Sequence, residues 1–182
     1  HRSRFDVPVV GITGSRGKTT VKEWLYQLLQ TDYHIVRSPR SYNSQIGVPL
    51  SIWEMDEDTE LAIFEAGISQ PGEMTGLQSV IKPTVGIITN IGTEHDEGFG
   101  SIQQKCEEKV TLFRDCDCII YNGDDPIIRQ AVNSACFTAK EIAWSRRDND
   151  MPLFIQRVDR RPDESDIHYS YLRRDGMITV PF

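Results

Sequence analysis

Basic charge, paired cysteines and long apolar runs are all scarce in this 182-residue chain, and each scarcity removes a class of function. Lys and Arg number 20 against 27 Asp and Glu, a formal net charge of −7. Such a surface repels phosphodiester backbones and anionic membranes, which argues against nucleic acid as a partner. Any phosphate bound here must be held by a local device. No apolar run approaches the ~20 residues that a membrane span needs, and no secretory signal opens the chain, so membrane insertion is not expected. The four cysteines, Cys106, Cys116, Cys118 and Cys136, include no CxxC pair and no His–Cys cluster at zinc spacing. They read as buried free thiols in a reducing, cytoplasmic setting, with Cys116 and Cys118 on one face of a strand. Hydrophobic residues make up 38% and charged residues 26%, the balance of a soluble folded domain rather than a disordered chain. The chain opens on His1 rather than Met, which suggests a piece of a longer protein.

What is present is an alternation of short β-rich runs and helical stretches, without repeats. Residues 7–13, 34–36, 61–66, 84–89 and 116–121 read as strands whose apolar runs are continuous. Residues 18–29 form a helical pattern with Val21, Leu25, Leu28 and Leu29 on one face, and 73–81 and 102–113 are helical as well. Continuous apolar strands separated by helices predict an α/β fold, a mostly parallel sheet covered on both faces. The tail differs. Residues 153–158, 167–172 and 177–180 alternate, so 151–182 reads as a small antiparallel appendage packed against the main layer, with Asp175-Gly176 as a tight turn.

The strongest local signal is Gly11-Ile12-Thr13-Gly14-Ser15-Arg16-Gly17-Lys18-Thr19-Thr20, placed between an apolar strand and an amphipathic helix. Glycines let backbone N–H groups turn inward, and a helix N-terminus adds positive potential. Lys18 can reach β- and γ-phosphates, and the Thr19 hydroxyl can ligate magnesium. Counting back from Gly17 puts Ile12 where the usual phosphate-loop pattern has its first glycine, so the strict motif fails by one residue. A nucleotide site is still the expectation. Glu65 stands at the C-terminal end of an apolar strand, the edge where open α/β sheets bind ligands. With Thr19 it would suit a magnesium ion that bridges phosphates.

The off-register loop resembles that of the Mur ligases and the related folylpolyglutamate synthetases. Further segments continue the likeness in order: Ser41 to Leu50; Phe64-Glu65-Ala66-Gly67 with Gln70-Pro71-Gly72-Glu73-Met74; Thr89 to His95; Glu97 to Ser101; Glu108 to Phe113; and Asn122 to Asp125. The Gly-Glu-Met and Glu-Gly-Phe-Gly-Ser segments resemble the branch that adds D-Ala-D-Ala, and also the form that some bacteria fuse to an alanine racemase. The resemblance implies a P-loop NTPase-like central domain spanning 1–182. An N-terminal domain for the UDP-sugar and a C-terminal domain that helps bind the amine would lie outside it. It implies ATP and Mg2+ as cofactors, with UDP-N-acetylmuramoyl-tripeptide and D-Ala-D-Ala as substrates. The implied reaction makes an amide through an acyl phosphate, and the fragment alone would be inactive.

By the same resemblance, Thr13 to Thr20 bind nucleotide and Lys18 acts on the phosphates. Asn43 lies near the γ-phosphate and Asn122 contacts adenine. Asp124 neighbours that pocket, although it or Asp125 would equally serve as a helix cap before Pro126. His95 is implied as a ligand of a second magnesium. Lys109 corresponds to a lysine that is carbamylated in related ligases and so becomes an oxygen ligand. Lys105 is the competing position, and alignment on Leu112-Phe113 favours Lys109. The alternatives are another Mur ligase, a folylpolyglutamate synthetase, a vestigial nucleotide-binding module, or a nucleotide switch. A switch would carry a guanine-reading Asn-Lys-x-Asp, and Asn122-Gly123-Asp124-Asp125 lacks its lysine.

Overall fold

The computed structural model describes residues 1–92 and 98–181. In chain order the elements are β1 (Val9–Thr13), α1 (Lys18–Leu29), β2 (Ile35–Arg37), α2 (Gly47–Trp53), β3 (Leu61–Glu65), α3 (Glu73–Ile81) and β4 (Val85–Ile88). There follow α4 (Ile102–Val110), β5 (Cys118–Asn122), α5 (Pro126–Ala135), β6 (Lys140–Ser145), β7 (Leu153–Arg160), β8 (Glu164–Tyr171) and β9 (Arg174–Pro181). All the strands join one sheet in the order β2-β3-β1-β4-β5-β6-β7-β8-β9. Each pair from β2 across to β7 is parallel, and β7-β8-β9 is antiparallel.

Every residue of β1 and β3 is buried, which is why both strands read as unbroken apolar runs. Alternate residues serve two layers. Val9, Ala62, Phe64, Ile88 and Ile119 pack in one cluster with Val48, Ile52, Leu77, Ile81, Val110 and Ile128 from α2 to α5. Val10, Ile12, Leu61 and Ile63 pack against Val21, Leu25 and Leu29 of α1 on the other face. The chain places β2 and β3 on one side of β1 and β4 onward on the other. The strand order therefore reverses at β1, and a crevice opens beyond its C-terminal end.

The mostly parallel sheet and the two helices 18–29 and 73–81 stand where the sequence places them. α2 and β6 were not foreseen. β5 begins at Cys118, so Cys116 precedes the strand and its thiol donates to the Pro83 carbonyl. Burial pushes the Cys106 and Cys116 thiols up to about 12, whereas Cys136 is exposed, contrary to expectation. The antiparallel tail forms, but it continues the sheet edge rather than packing over it. β7 meets β6 in parallel at Trp144↔Leu153 and Ser145↔Phe154, which covers an edge that would otherwise offer unpaired backbone.

The tail's tight turn is also displaced. Leu172 and Arg173 take the left-handed conformation, at φ 49° and 66°, between the paired Tyr171 and Arg174. Asp175 and Gly176 lie inside β9, opposite Ser170 and Tyr169. A Cβ on Gly176 would stand 2.6 Å from the Tyr169 ring, so this glycine makes room for a cross-strand aromatic. Among the described residues no helix is long and apolar enough to cross a membrane.

A similar close approach ties β4 to the segment after α4. A Cβ on Gly86 would lie 2.2 Å from the ring of the fully buried Phe113. Gly86→Ala is expected to cost ~1–3 kcal/mol of stability, read as a lower urea midpoint. An unchanged midpoint would show that the ring is not pinned there.

Candidate active site

The loop after β1 is shaped by two glycines and anchored by one asparagine. Gly14 and Gly17 have φ of 136° and 80°, and a Cβ on Gly14 would meet the Thr89 hydroxyl at 2.0 Å. Asn90, beyond β4, accepts from Ser15 N at its carbonyl (2.9 Å) and from Arg16 N at Oδ1 (3.0 Å), while its Nδ2 donates to the Arg16 carbonyl (3.1 Å). Gly92 N donates to Ser15 Oγ at 2.9 Å. α1 then begins at Lys18, so its N-terminal end opens on the loop. The Lys18 ammonium folds back over the loop and donates to the Gly14 and Ser15 carbonyls at 2.8 and 3.1 Å. Arg16, Gly17 and Thr20 are exposed. Thr13 is buried in the sheet, and its hydroxyl donates to the Ala66 carbonyl.

Glu65 is fully buried at the end of β3. Its Oε2 accepts from Thr19 Oγ1 at 3.0 Å. Among the described residues Oε1 has no hydrogen-bond partner; Lys22 Nζ lies 3.0 Å away as an ion pair, out of hydrogen-bond alignment. Two oxygens 3.0 Å apart match adjacent corners of an octahedron with bonds of about 2.1 Å, the geometry Mg2+ demands. Thr19 Oγ1 and Glu65 Oε2 each keep a lone pair that a cation could use, so Thr19 and Glu65 fit the ion. Among the described residues no three His, Cys, Asp or Glu side chains gather into a metal cluster. Mg2+ takes one or two protein oxygens and fills its remaining positions with phosphate and water. His95 lies outside the described residues, so its expected place is not part of this site's geometry.

Lys109 and Lys105 are both buried on α4. Lys105 Nζ donates to the Gly92 carbonyl at 2.6 Å. Lys109 Nζ approaches the Gly14 carbonyl at 3.4 Å and lines the cleft, which Lys105 does not. Burial, reinforced by the like charges of Lys18 and Lys105, lowers the Lys109 ammonium from 10.5 to about 8. The cleft itself is about 380 Å³. Gly14, Ser15 and Lys18 form one wall, and Asn43 to Ile46 with Gly67 to Ser69 form the other. Gly67 N donates to the Asn43 carbonyl at 2.8 Å, and a Cβ on Gly67 would stand 2.9 Å from the Asn43 amide. The loop, Glu65, Lys109 and Asn43 therefore converge at one sheet edge.

Asn122 closes β5 and Asp124 follows it, and both lie outside the cleft lining. Asn122 Oδ1 accepts from Asp124 N, and the Asp124 carboxylate accepts from Ser145 Oγ and Arg146 N. Asp124 thus latches β5 to β6. The helix cap is Asp125, which accepts from Ile127 N and Ile128 N ahead of Pro126. Sequence reasoning missed Asn90 as the loop's anchor and Lys22 as the partner of Glu65. The polar Thr89-Asn90 pair closing an apolar strand was the available sign of the first. Nothing local marks the second.

Residues 12–181 match the family model described as the Mur ligase middle domain. The chain belongs to the Mur ligase family. It is 36% identical over 126 residues to the UDP-N-acetylmuramoyl-tripeptide--D-alanyl-D-alanine ligase of Bacillus subtilis, covering 68% of this chain and 28% of that protein. The ligase of the same name from Borreliella burgdorferi is 44% identical over 103 residues, 57% of this chain and 22% of that one. This chain thus spans about a quarter of the curated relatives it matches. Among solved structures, MurF ligase from Thermotoga maritima in complex with ADP superposes with a TM-score of 0.83 at 25% identity, over 97% of this chain and 41% of that one. The D-alanyl-D-alanyl ligase from Acinetobacter baumannii gives 0.86 at 23% identity, over 100% and 40%, a likeness of fold.

The low Lys109 value has a consequence for stability in this Mur ligase domain. Between about pH 8 and 10.5 the unfolded chain holds a proton on this lysine that the folded chain has released, so stability rises with pH across that window. Against Lys109→Met in carbonate-free buffer, the wild type should gain on the order of 3 kcal/mol over the full window. Urea unfolding at stepped pH measures it, and a pH-independent difference would show an ordinary lysine.

Proposed function

We propose that this chain is the ATP-binding domain of a D-Ala-D-Ala-adding ligase of peptidoglycan precursor synthesis, acting on UDP-N-acetylmuramoyl-tripeptide. The observation that carries it is the convergence at one sheet edge of the glycine loop with Lys18, the Thr19–Glu65 oxygen pair and the cleft-lining Lys109. Relatives named for this reaction at 36–44% identity support the choice of branch.

In this reading the loop amides and the α1 N-terminus receive the β- and γ-phosphates, and Lys18 turns from its own loop carbonyls to the phosphate oxygens. Thr19 and Glu65 would hold Mg2+, which supplies charge neutralisation between the phosphates. The tripeptide carboxylate attacks the γ-phosphorus, the bond to the ADP oxygen breaks, and an acyl phosphate forms. The D-Ala-D-Ala amine then attacks the acyl carbon, phosphate leaves, and the amine proton is lost to solvent or a base. Lys109 faces the cleft where these anions meet. At pH 7.5 roughly a quarter of it is neutral, against about one part in a thousand for an ordinary lysine. A neutral amine is the form that adds CO2, so the reading assigns Lys109 as the carbamylated lysine and His95 as a further cation ligand. Asn43 would touch the γ-phosphate, and Asn122 and Asp124 would border the adenine. Recognition of the UDP-sugar and of the amine falls to flanking domains, and the work is cytoplasmic, where ATP and UDP-linked precursors are available.

The test is ATP-dependent phosphate release by the full-length protein with UDP-N-acetylmuramoyl-tripeptide, offered D-Ala-D-Ala, D-Glu or a diamino acid, with folate plus glutamate as a separate pair. Release with D-Ala-D-Ala alone is expected, and release with another amine would move the substrate. Lys18→Ala should lower the rate by ~10²-fold or more with the fold intact. Undiminished release by that variant would overturn the assignment.

A further inference from the structure

Lys22 is one of the largest fully buried side chains among the described residues, and it is a lysine on a helix whose other inward residues are Val21, Leu25 and Leu29. An ammonium removed from water costs several kcal/mol unless it is paired, and an aliphatic side chain would carry no such cost. The pairing here is extensive. Lys22 Nζ donates to the Ser38 carbonyl at 2.7 Å and to the Arg40 carbonyl, and it lies 3.0 Å from Glu65 Oε1 and 3.2 Å from Glu23 Oε1. Glu23 is held in turn by Arg37 on β2.

Two of these contacts lead to the candidate site, one through Glu65 and one through the Ser38–Arg40 segment. Glu65 presents its other oxygen to Thr19, and its backbone N–H donates to Ser38 Oγ at 3.2 Å. Ser38 and Arg40 begin the segment that carries Asn43, which closes on Gly67, two residues beyond Glu65. One ammonium therefore crosslinks the helix of the phosphate loop, the carboxylate at the end of β3 and the Asn43 wall. Without Lys22, the buried Glu65 Oε1 would have no charged partner among the described residues, and the carboxylate could turn away from Thr19.

We propose that Lys22 is a positioning residue: it fixes Glu65 in the orientation that, with Thr19, forms the protein side of the divalent-cation site. This rests on the cation-site reading above. The sign of the effect separates the role from simple charge balance. Were Lys22 only a counter-charge, removing it would leave Glu65 more attractive to a cation, and binding would tighten. Loss of positioning loosens it instead.

The experiment titrates Mn2+ into full-length protein with ADP, followed by manganese electron paramagnetic resonance, well below each variant's melting temperature. Lys22→Met should raise the Mn2+ concentration for half-saturation by about tenfold or more and leave metal-free ADP affinity within about twofold. Because that variant strands a buried carboxylate, Lys22→Met/Glu65→Gln is measured beside it; a neutral pair folds more readily than a broken one. Its Mn2+ requirement should equal that of Glu65→Gln alone, since Lys22 acts through Glu65. Unchanged or tighter Mn2+ binding in Lys22→Met, or effects that add across the two positions, would overturn the role. A wild type whose ADP affinity ignores Mn2+ would overturn the cation site itself and this role with it.

Discussion

The pairing of β1 between β3 and β4 is the constraint on which the rest of the structure depends. Parallel register sets Ile12 beside Glu65 and Thr13 beside Ile88. Three chain segments therefore leave the sheet at one edge: the glycine loop from β1, the Glu65–Gly67 turn from β3, and Thr89-Asn90 from β4. Burial of every side chain in β1 and β3 makes a slip in register costly, because it would exchange the residues that serve two different apolar layers. The precision of the cleft is inherited from the core.

Electrostatics at this edge run against the chain's overall charge. The molecule is acidic, yet Lys18, Lys22, Lys105 and Lys109 gather around the loop. Each is held by backbone carbonyls: Gly14 and Ser15 for Lys18, Ser38 and Arg40 for Lys22, Gly92 for Lys105 and Gly14 for Lys109. Carbonyl dipoles offset part of the desolvation cost, and the depressed Lys109 shows that for this lysine the cost is not fully met. A polyphosphate entering the cleft would meet the Lys18 and Lys109 side chains that line it. Lysines gathered at one sheet edge are a local device, distinct from the bulk charge of the chain.

Several features were legible along the chain because their causes are local. Helix 18–29 follows from apolar spacing, the glycine loop from residues that tolerate φ above zero, and Glu65 from a carboxylate closing an apolar run. Helix 73–81 ends before Pro83 for the same kind of reason. The displaced turn at Leu172-Arg173 shows the limit. Asp175-Gly176 is the better turn dipeptide in isolation, but pairing of β8 with β9 puts Gly176 under the Tyr169 ring and moves the reversal three residues earlier. β6 was missed because Lys140 and Glu141, which open it, are exposed at its start and blur the apolar run.

By itself, then, the order of residues determined the α/β class, the glycine loop after β1 and the two candidate positions, Lys18 and Glu65, that periodicity and glycine spacing expose. Tertiary structure alone decided that Asn90 anchors the loop, that Asp124 latches β6 while Asp125 caps α5, that Lys109 rather than Lys105 lines the cleft, and that Lys22 grips Glu65. The physical reason is range. Helix periodicity and turn preference act over a few neighbours, whereas Lys22 and Glu65, or Ser15 and Asn90, meet only after parallel strands far apart in sequence have aligned their ends. A lysine four residues into a helix reads as solvated until the strand beside it supplies the carboxylate that justifies burying it.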